Sequence, residues 1–406
     1  MQPARLGKAL GCAISSLLLT VVLSSPGAAQ QQINIGLLGP LSGPWAEQGR
    51  LMRIGAEMAV EDINQQGGIK SMGGAKLNLI VVDTGATVET ATNAAQRLLA
   101  GGNISAFDCC WLSSFTLAAR EIGERYKVPM LTFASNDGIV QGGYKYIFRS
   151  GTGTDLQVRS GIGVIKEAAA KVGRKIEKAA LIGDNTAVSV SYFKNLNEIL
   201  PQNGVKIVLN RVWTPPLSDA IPVGIAARET NPDIIFLAST SFDDSVAIVR
   251  ALEAAKVKSL ALGVGAQFLI PEFLKAVGPS AIEGVMATQG SAITKDPFAI
   301  DFLERFKKRS GDGWTVHNTT STYAEIWIIK EALEKAGSAD SAKVRDALAQ
   351  LHLTVPPPTA FLGVDVKFEP NGQNAGALNF IVQWQNGTPV LVAPPSVAAA
   401  PIKIAN

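Results

Sequence analysis

Short apolar runs alternate with amphipathic stretches along most of the chain. Residues 33–38 are almost uniformly apolar and end in the Gly/Pro/Ser loop GPLSGPWAEQG, the pattern of a buried strand. The next stretch places Met52, Ala56, Ala59, Val60 and Ile63 on one helical stripe that stops at Gly67 and Gly68. Residues 77–83 read as a second strand, Thr87 as the cap of a helix running through Leu99, and residues 104–110 as a third strand. Residues 110–136 then read as strand end, Ser-rich loop, amphipathic helix and a fourth strand with a polar exit. This alternation predicts a parallel sheet covered by helices on both faces.

After the polar segment SGTGTD the pattern restarts with a helix over 156–172 and strands over 179–184, 205–209, 233–238 and 260–264. Four more strand–helix units overfill a single sheet, so they predict a second lobe. A third section contains residues 282–287 and three helices ending near Leu351, followed by VPPP, which cannot be helical. Leu378, Phe380, Val382 and Trp384 fall at every second position, as in a half-buried strand, and the Pro/Ala-rich tail after Gly387 is expected to wrap the surface.

In a parallel sheet consecutive strands end at the same edge. Ser113 and Ser114 after the third strand, and Ser135 and Asn136 after the fourth, therefore line one crevice outside the carboxyl ends. Ser113 or Ser114 is expected to cap its helix, whose first-turn N–H groups and dipole favour an anion such as a carboxylate.

Composition narrows the function. Residues 1–29 carry Arg5 and Lys8, an apolar run over 14–23 and the small-residue exit SSPGAA, a secretory signal peptide with cleavage after Ala29. The apolar run is shorter than the about 20 residues a permanent span needs, and Cys12 precedes it, where it is badly placed for lipidation. A soluble periplasmic product is expected. The net charge is +3, two of the basic residues lie in the leader, and no nucleic-acid partner is implied. With 47% hydrophobic residues a core is readily built, and the length suggests two domains. Cys109 and Cys110, the only cysteines left after processing, read as two buried thiols rather than a disulfide or a metal site.

A catalytic reading finds little to stand on. His317 and His352 are the only histidines, in no triad or metal pattern, and read as solvated or cap-adjacent. Phosphate-binding and dinucleotide glycine motifs are absent, and Asp243 with Asp244 reads as compensation of a helix dipole. No catalytic residue, metal or cofactor is predicted.

The segments IGLLGPLSGPWAEQG, the Ser113 loop, PMLTFASN and IEGVMATQG together resemble the periplasmic solute-binding receptors of ABC importers, the leucine/isoleucine/valine-binding type. The resemblance covers essentially the whole mature chain. It implies an α/β type I periplasmic-binding fold of two doubly wound lobes with parallel sheets, closing over a ligand about a three-crossing hinge. The crossings fall near Arg149, near Gln289 and between Val355 and Ala377. That assigns residues 30–149 with 290–375 to lobe I and residues 150–289 with 376–406 to lobe II.

The resemblance also implies the ligand contacts. Ser113 meets the ligand carboxylate, and Ala134, Ser135 and Asn136 form a second contact loop. Gln48 stands where an aromatic covers the ligand, with Trp45 as its substitute. Val188 stands where a tyrosine usually reaches in, and Thr240 lies on the opposite wall. Gly265 replaces the carboxylate that pairs with a ligand ammonium in amino-acid receptors, with Gln267 the nearest polar side chain and Asp243 or Asp244 as substitutes. A buried ammonium without an anion is costly, so carboxylates without an amine, aromatic ones included, gain over hydrophobic or branched-chain amino acids. The partners implied are a small-molecule ligand and an ABC permease in the inner membrane. A ligand sensor of the same fold is the alternative function, and an exported enzyme a third, disfavoured one.

Overall fold

The computed structural model describes residues 32–404. The expected export signal lies outside the described residues. In chain order the first series is β1 (Gln32–Gly39), α1 (Ala46–Gln65), β2 (Lys76–Asp83), α2 (Val88–Ala100), β3 (Ile104–Cys109), α3 (Ser113–Tyr126), β4 (Met130–Thr132) and β5 (Ile147–Arg149). The second is α4 (Thr154–Lys171), β6 (Lys178–Asp184), α5 (Ala187–Gln202), β7 (Lys206–Trp213), α6 (Ile221–Thr230), β8 (Ile234–Ala238), α7 (Phe242–Ala254), β9 (Leu260–Val264), α8 (Pro271–Val277), α9 (Pro279–Ile282) and β10 (Met286–Gln289). The remainder comprises α10 (Pro297–Ser310), α11 (His317–Ala336), α12 (Ser341–Ala349), β11 (His352–Leu353), α13 (Pro358–Leu362), β12 (Val366–Lys367), β13 (Phe380–Gln385) and β14 (Thr388–Ala393).

Local chemistry sets many of these bounds. Thr87 and Thr90 form a reciprocal capping box that starts α2, each backbone N–H donating to the other hydroxyl at 3.1 Å. Asp296 caps α10 by accepting from the Phe298 N–H at 2.8 Å, Pro297 fills the first turn, and Lys307, Lys308 and Arg309 close the last turn against the dipole. The helix after the first loop starts at Ala46, a turn and a half before the apolar stripe becomes legible at Met52.

Two sheets result. The first has the order β2-β1-β3-β4-β5 and is parallel throughout. The second has the order β14-β13-β10-β9-β8-β6-β7, parallel from β7 to β10, with β13 and β14 added antiparallel at one edge. Strand order reverses beside β1 and β3 in the first sheet and beside β6 and β8 in the second, which are the positions where doubly wound sheets open a crevice. On the first lobe α11 lies so close to α1 that a Cβ on Gly55 would stand 2.3 Å from the Thr319 carbonyl oxygen, so only glycine fits there.

The chain passes between the sheets three times: after β5, after β10, and between β12 and β13. These segments run side by side. The Arg149 N–H donates to the Gly372 carbonyl at 2.8 Å and the Asn374 N–H returns to the Arg149 carbonyl at 2.9 Å. Gln373 Nε2 donates to the Gly151 carbonyl at 2.9 Å, and a Cβ on Gly151 would stand 3.5 Å from the Gly290 Cα.

The structure corrects three expectations. Cys109 and Cys110 are joined as a vicinal disulfide, because the turn out of β3 sets the two sulfurs against each other. β13 is buried on both faces rather than half-buried. Its outer face is covered by the tail, with Gln383 Nε2 donating to the Lys403 carbonyl at 2.8 Å and Gln385 Nε2 to the Pro401 carbonyl at 2.9 Å. The tail itself begins as the edge strand β14 before it wraps.

Inside lobe I the carboxyls of Asp108 on β3 and Glu325 on α11 face each other without any exposure to solvent. Burial, the largest cause, pushes Asp108 up to about 7, and burial followed by the charge of Asp108 pushes Glu325 well above the carboxylate range. Such a pair keeps a proton in the folded chain after the unfolded chain has released it, so folding binds a proton and stability falls as pH rises. Measured against Asp108→Asn by urea unfolding, the native protein is expected to lose a few kcal/mol as pH rises from about 4 to about 7, and to match the variant's pH profile below that range. Parallel profiles across the range would show that the pair holds no shared proton.

Candidate functional site

The carboxyl ends of both sheets face one chamber. On lobe I, the exit from β3 supplies Trp111, Leu112 and Ser113, and the exit from β4 supplies Phe133, Ala134 and Ser135. Leu112, not a serine, occupies the N-cap of α3, and no side chain caps that helix. Ser113 sits instead in the first turn, where its Oγ accepts the Asn136 N–H at 3.3 Å and keeps its own O–H to donate. Ser135 Oγ accepts from Gln157 Nε2 at 2.9 Å and likewise keeps its proton. Together with the uncapped N–H groups of α3, these hydroxyls make this wall a surface of donors. Trp111, which lines the chamber, holds φ +66, a left-handed backbone uncommon for a bulky residue.

Lobe II closes the other side with Val188 at the start of α5, Thr240 after β8, Val264 at the end of β9, Gly265 and Gln267 after it, and Thr288 on β10. Asp184 at the end of β6 organises this wall without entering it. One of its oxygens accepts the Thr240 N–H at 2.7 Å and hydroxyl at 3.0 Å, and the other accepts from Thr186 and Ser189. The carboxylate is thereby fully engaged. Thr240 donates its proton to Asp184 and offers the chamber only lone pairs.

At the crossing after β10 the ring of His317, first residue of α11, completes the lining. Its Nδ1 accepts the Gly290 N–H at 3.1 Å, and it stands edge-on to Phe133 with ring centres 5.2 Å apart. Burial pushes its pKa down to about 3, so the imidazole is neutral at any ordinary pH. The cavity volume is about 30 Å³, so in this arrangement the lining side chains leave room for only about two waters. No aspartate or glutamate stands among its lining residues.

Of the residues expected at the site, Ser113, Ala134, Ser135, Val188, Thr240, Gly265 and Gln267 are brought together around the chamber. Trp45, Gln48 and Asn136 are not part of its lining. Trp45 packs edge-on against Phe115 at 5.7 Å and donates from Nε1 to the Thr240 carbonyl at 3.2 Å. Asn136 donates from Nδ2 to the Ala187 carbonyl at 2.7 Å. Both are bonds from lobe I to the main chain of lobe II. Gln48 lines a separate outer groove beside Ser241 and Phe242.

Asp244 cannot replace the carboxylate missing at Gly265, because its oxygens already accept from Trp213 Nε1 at 2.8 Å and the Leu217 N–H at 3.0 Å. Asp243 lines the outer groove with Gln48. His317 is buried rather than solvated, although it does sit at a helix start. Sequence reasoning also missed Trp111, Leu112, Phe133, Gln157, Val264 and Thr288. Trp111, Leu112 and Phe133 could have been found, since they flank Ser113 and Ala134 at the same strand exits.

Two doubly wound lobes whose strand ends share one cleft are the arrangement in which such sheets receive small molecules. The chain matches the periplasmic binding protein family over residues 32–389 and belongs to it, which makes it a transporter-type binding protein and not an enzyme. It is 27% identical over 397 residues to Leu/Ile/Val-binding protein homolog 7 of Brucella suis biovar 1, covering 96% of this chain and 98% of that one. Its fold is that of a leucine-binding protein from Thermotoga maritima (TM-score 0.76, 21% identical, 89% of this chain and 98% of that one). An ABC-transporter solute-binding protein of R. palustris, solved in complex with benzoate, is similar too (TM-score 0.74, 16% identical, 92% and 98% covered).

The bond from Trp45 to Thr240 gives a direct test of lobe closure. Trp45→Phe keeps the ring against Phe115 and removes one hydrogen bond, worth about 0.5–1.5 kcal/mol net. Affinity for whatever ligand copurifies with the native protein is expected to fall about two- to tenfold by calorimetry, with the melting temperature of the stripped protein unchanged. Unaltered affinity would mean that the bond contributes nothing to the closed state.

Proposed function

We propose that the protein is the extracytoplasmic receptor of an ABC importer for a small carboxylate lacking an ammonium group, which it encloses between its lobes and delivers to a permease. The observation that carries this reading is the chamber's electrostatic character: donors at the α3 end and no acidic side chain on any wall. A carboxylate is received by Ser113, Ser135 and the first-turn N–H groups of α3, while Trp111, Phe133, Val188 and Val264 surround an apolar or aromatic body. An α-ammonium would enter a closed chamber without an anion, a cost of several kcal/mol. Leucine and benzoate, named for two proteins of this fold, are the natural reference ligands. Residues 1–29 serve in this reading as the export leader, and residues 30–149 with 290–375 close against residues 150–289 with 376–406.

Calorimetry with phenylpropionate and phenylalanine on the ligand-stripped protein tests the proposal. The deaminated acid is expected to bind more tightly. Hydrogen bonds to a charged group contribute about 1.5–3 kcal/mol, so Ser113→Ala should weaken its binding about ten- to a hundredfold while unfolding as before. Tighter binding of the amino acid would refute the reading. Small-angle scattering supplies the second test, since ligand at full occupancy is expected to reduce the radius of gyration. An unchanged value would argue against closure about the three crossings.

A further inference from the structure

We propose that the ligand carries, besides its carboxylate, an uncharged hydrogen-bond donor, a hydroxyl group, received by Gln267 and His317. The inference rests on the carboxylate reading of the site and narrows it to hydroxy acids.

Gln267 is 1% exposed and follows β9 in the lobe II wall. Its Nε2 donates to the carbonyl oxygens of Ser239 and Val264. The reverse amide orientation would set its oxygen against those two carbonyls, so the observed one is fixed by its partners. Its Oε1 consequently has no partner in the protein. That oxygen lies 2.5 Å from the place a Cβ on Gly265 would take, and Gly265 holds φ +97, so the bare backbone there makes the room it occupies.

His317 presents the opposite polarity. Because Nδ1 accepts the Gly290 N–H, the proton of the neutral ring is on Nε2. That N–H is buried and, like the Gln267 oxygen, has no partner. Both residues line the chamber, and each carries one unmatched, uncharged group shielded from solvent in this arrangement, an acceptor on Gln267 and a donor on His317, in addition to the donors of Ser113 and Ser135. A hydroxyl is the smallest group that both donates and accepts. A simple aliphatic or aromatic acid has no donor for Gln267, and an ammonium brings a charge that neither partner neutralises.

Titration calorimetry on the stripped native protein decides this with two matched sets: 2-hydroxy-4-methylpentanoate, 4-methylpentanoate and leucine, and 4-hydroxybenzoate with benzoate. In at least one set the hydroxy acid is expected to bind about ten- to a hundredfold more tightly than its deoxy partner. Gln267→Met, close in shape but without the acceptor, should reduce that preference to about threefold or less. His317→Asn, whose Oδ1 can still take the Gly290 N–H, should reduce it as well, and serves alone if the first variant misfolds. Equal binding of hydroxy and deoxy acids in both sets, or a preference that survives in the folded variants, overturns the inference and leaves the carboxylate reading standing. Tightest binding of leucine, or no binding of any acid, overturns both.

Discussion

A polar group on the wall of a closed chamber is matched either by the protein or by what the chamber holds, and this constraint orders both lobes. Asp184 shows the first solution. Its two oxygens are consumed by Thr186, Ser189 and Thr240, so the carboxyl stiffens the wall from behind and offers the chamber no free acceptor. Asp244 is consumed in the same way by Trp213 and Leu217. What is left facing inward is neutral or donating, and the ligand's chemistry follows from that remainder.

The same constraint explains which parts of the architecture were legible in the sequence. Alternating strands and amphipathic helices follow from apolar periodicity, so the sheets and the edge at which Ser113 and Ser135 meet could be read directly. Val188, Thr240, Gly265 and Gln267 were placed through family resemblance, and the chamber contains them all. Trp45 and Asn136 stand outside the lining, bonded to carbonyls of the other lobe, and a main-chain carbonyl leaves no mark in a sequence. His317 was hidden for a related reason. It is distant in sequence from the strand ends, and its burial depends on Gly290 arriving beside it. β13 misled in the opposite sense, since Gln383 and Gln385 read as solvent-facing until the tail supplies their partners.

The crossings connect these local arrangements to motion. Arg149, Gly372 and Asn374 tie the first and third crossings by backbone hydrogen bonds, and Gly151 lies against Gly290 of the second. In the closure proposed above, three adjacent crossings would bend together rather than slide past one another. His317 accepts the N–H of Gly290 on the second crossing, so the ring that lines the chamber is held against one of the three crossings.

The bonds from Trp45 and Asn136 end on carbonyls, not on side chains. Side-chain substitution on lobe II therefore leaves both acceptors in place. Exchange of Val188 or Val264 reshapes the chamber while the bonds from Trp45 and Asn136 keep their acceptors. These two fastenings thus rest on the main chain of lobe II, whereas those of Gln157 to Ser135 and of Asn195 to Asp137 rest on side chains and are exposed to substitution.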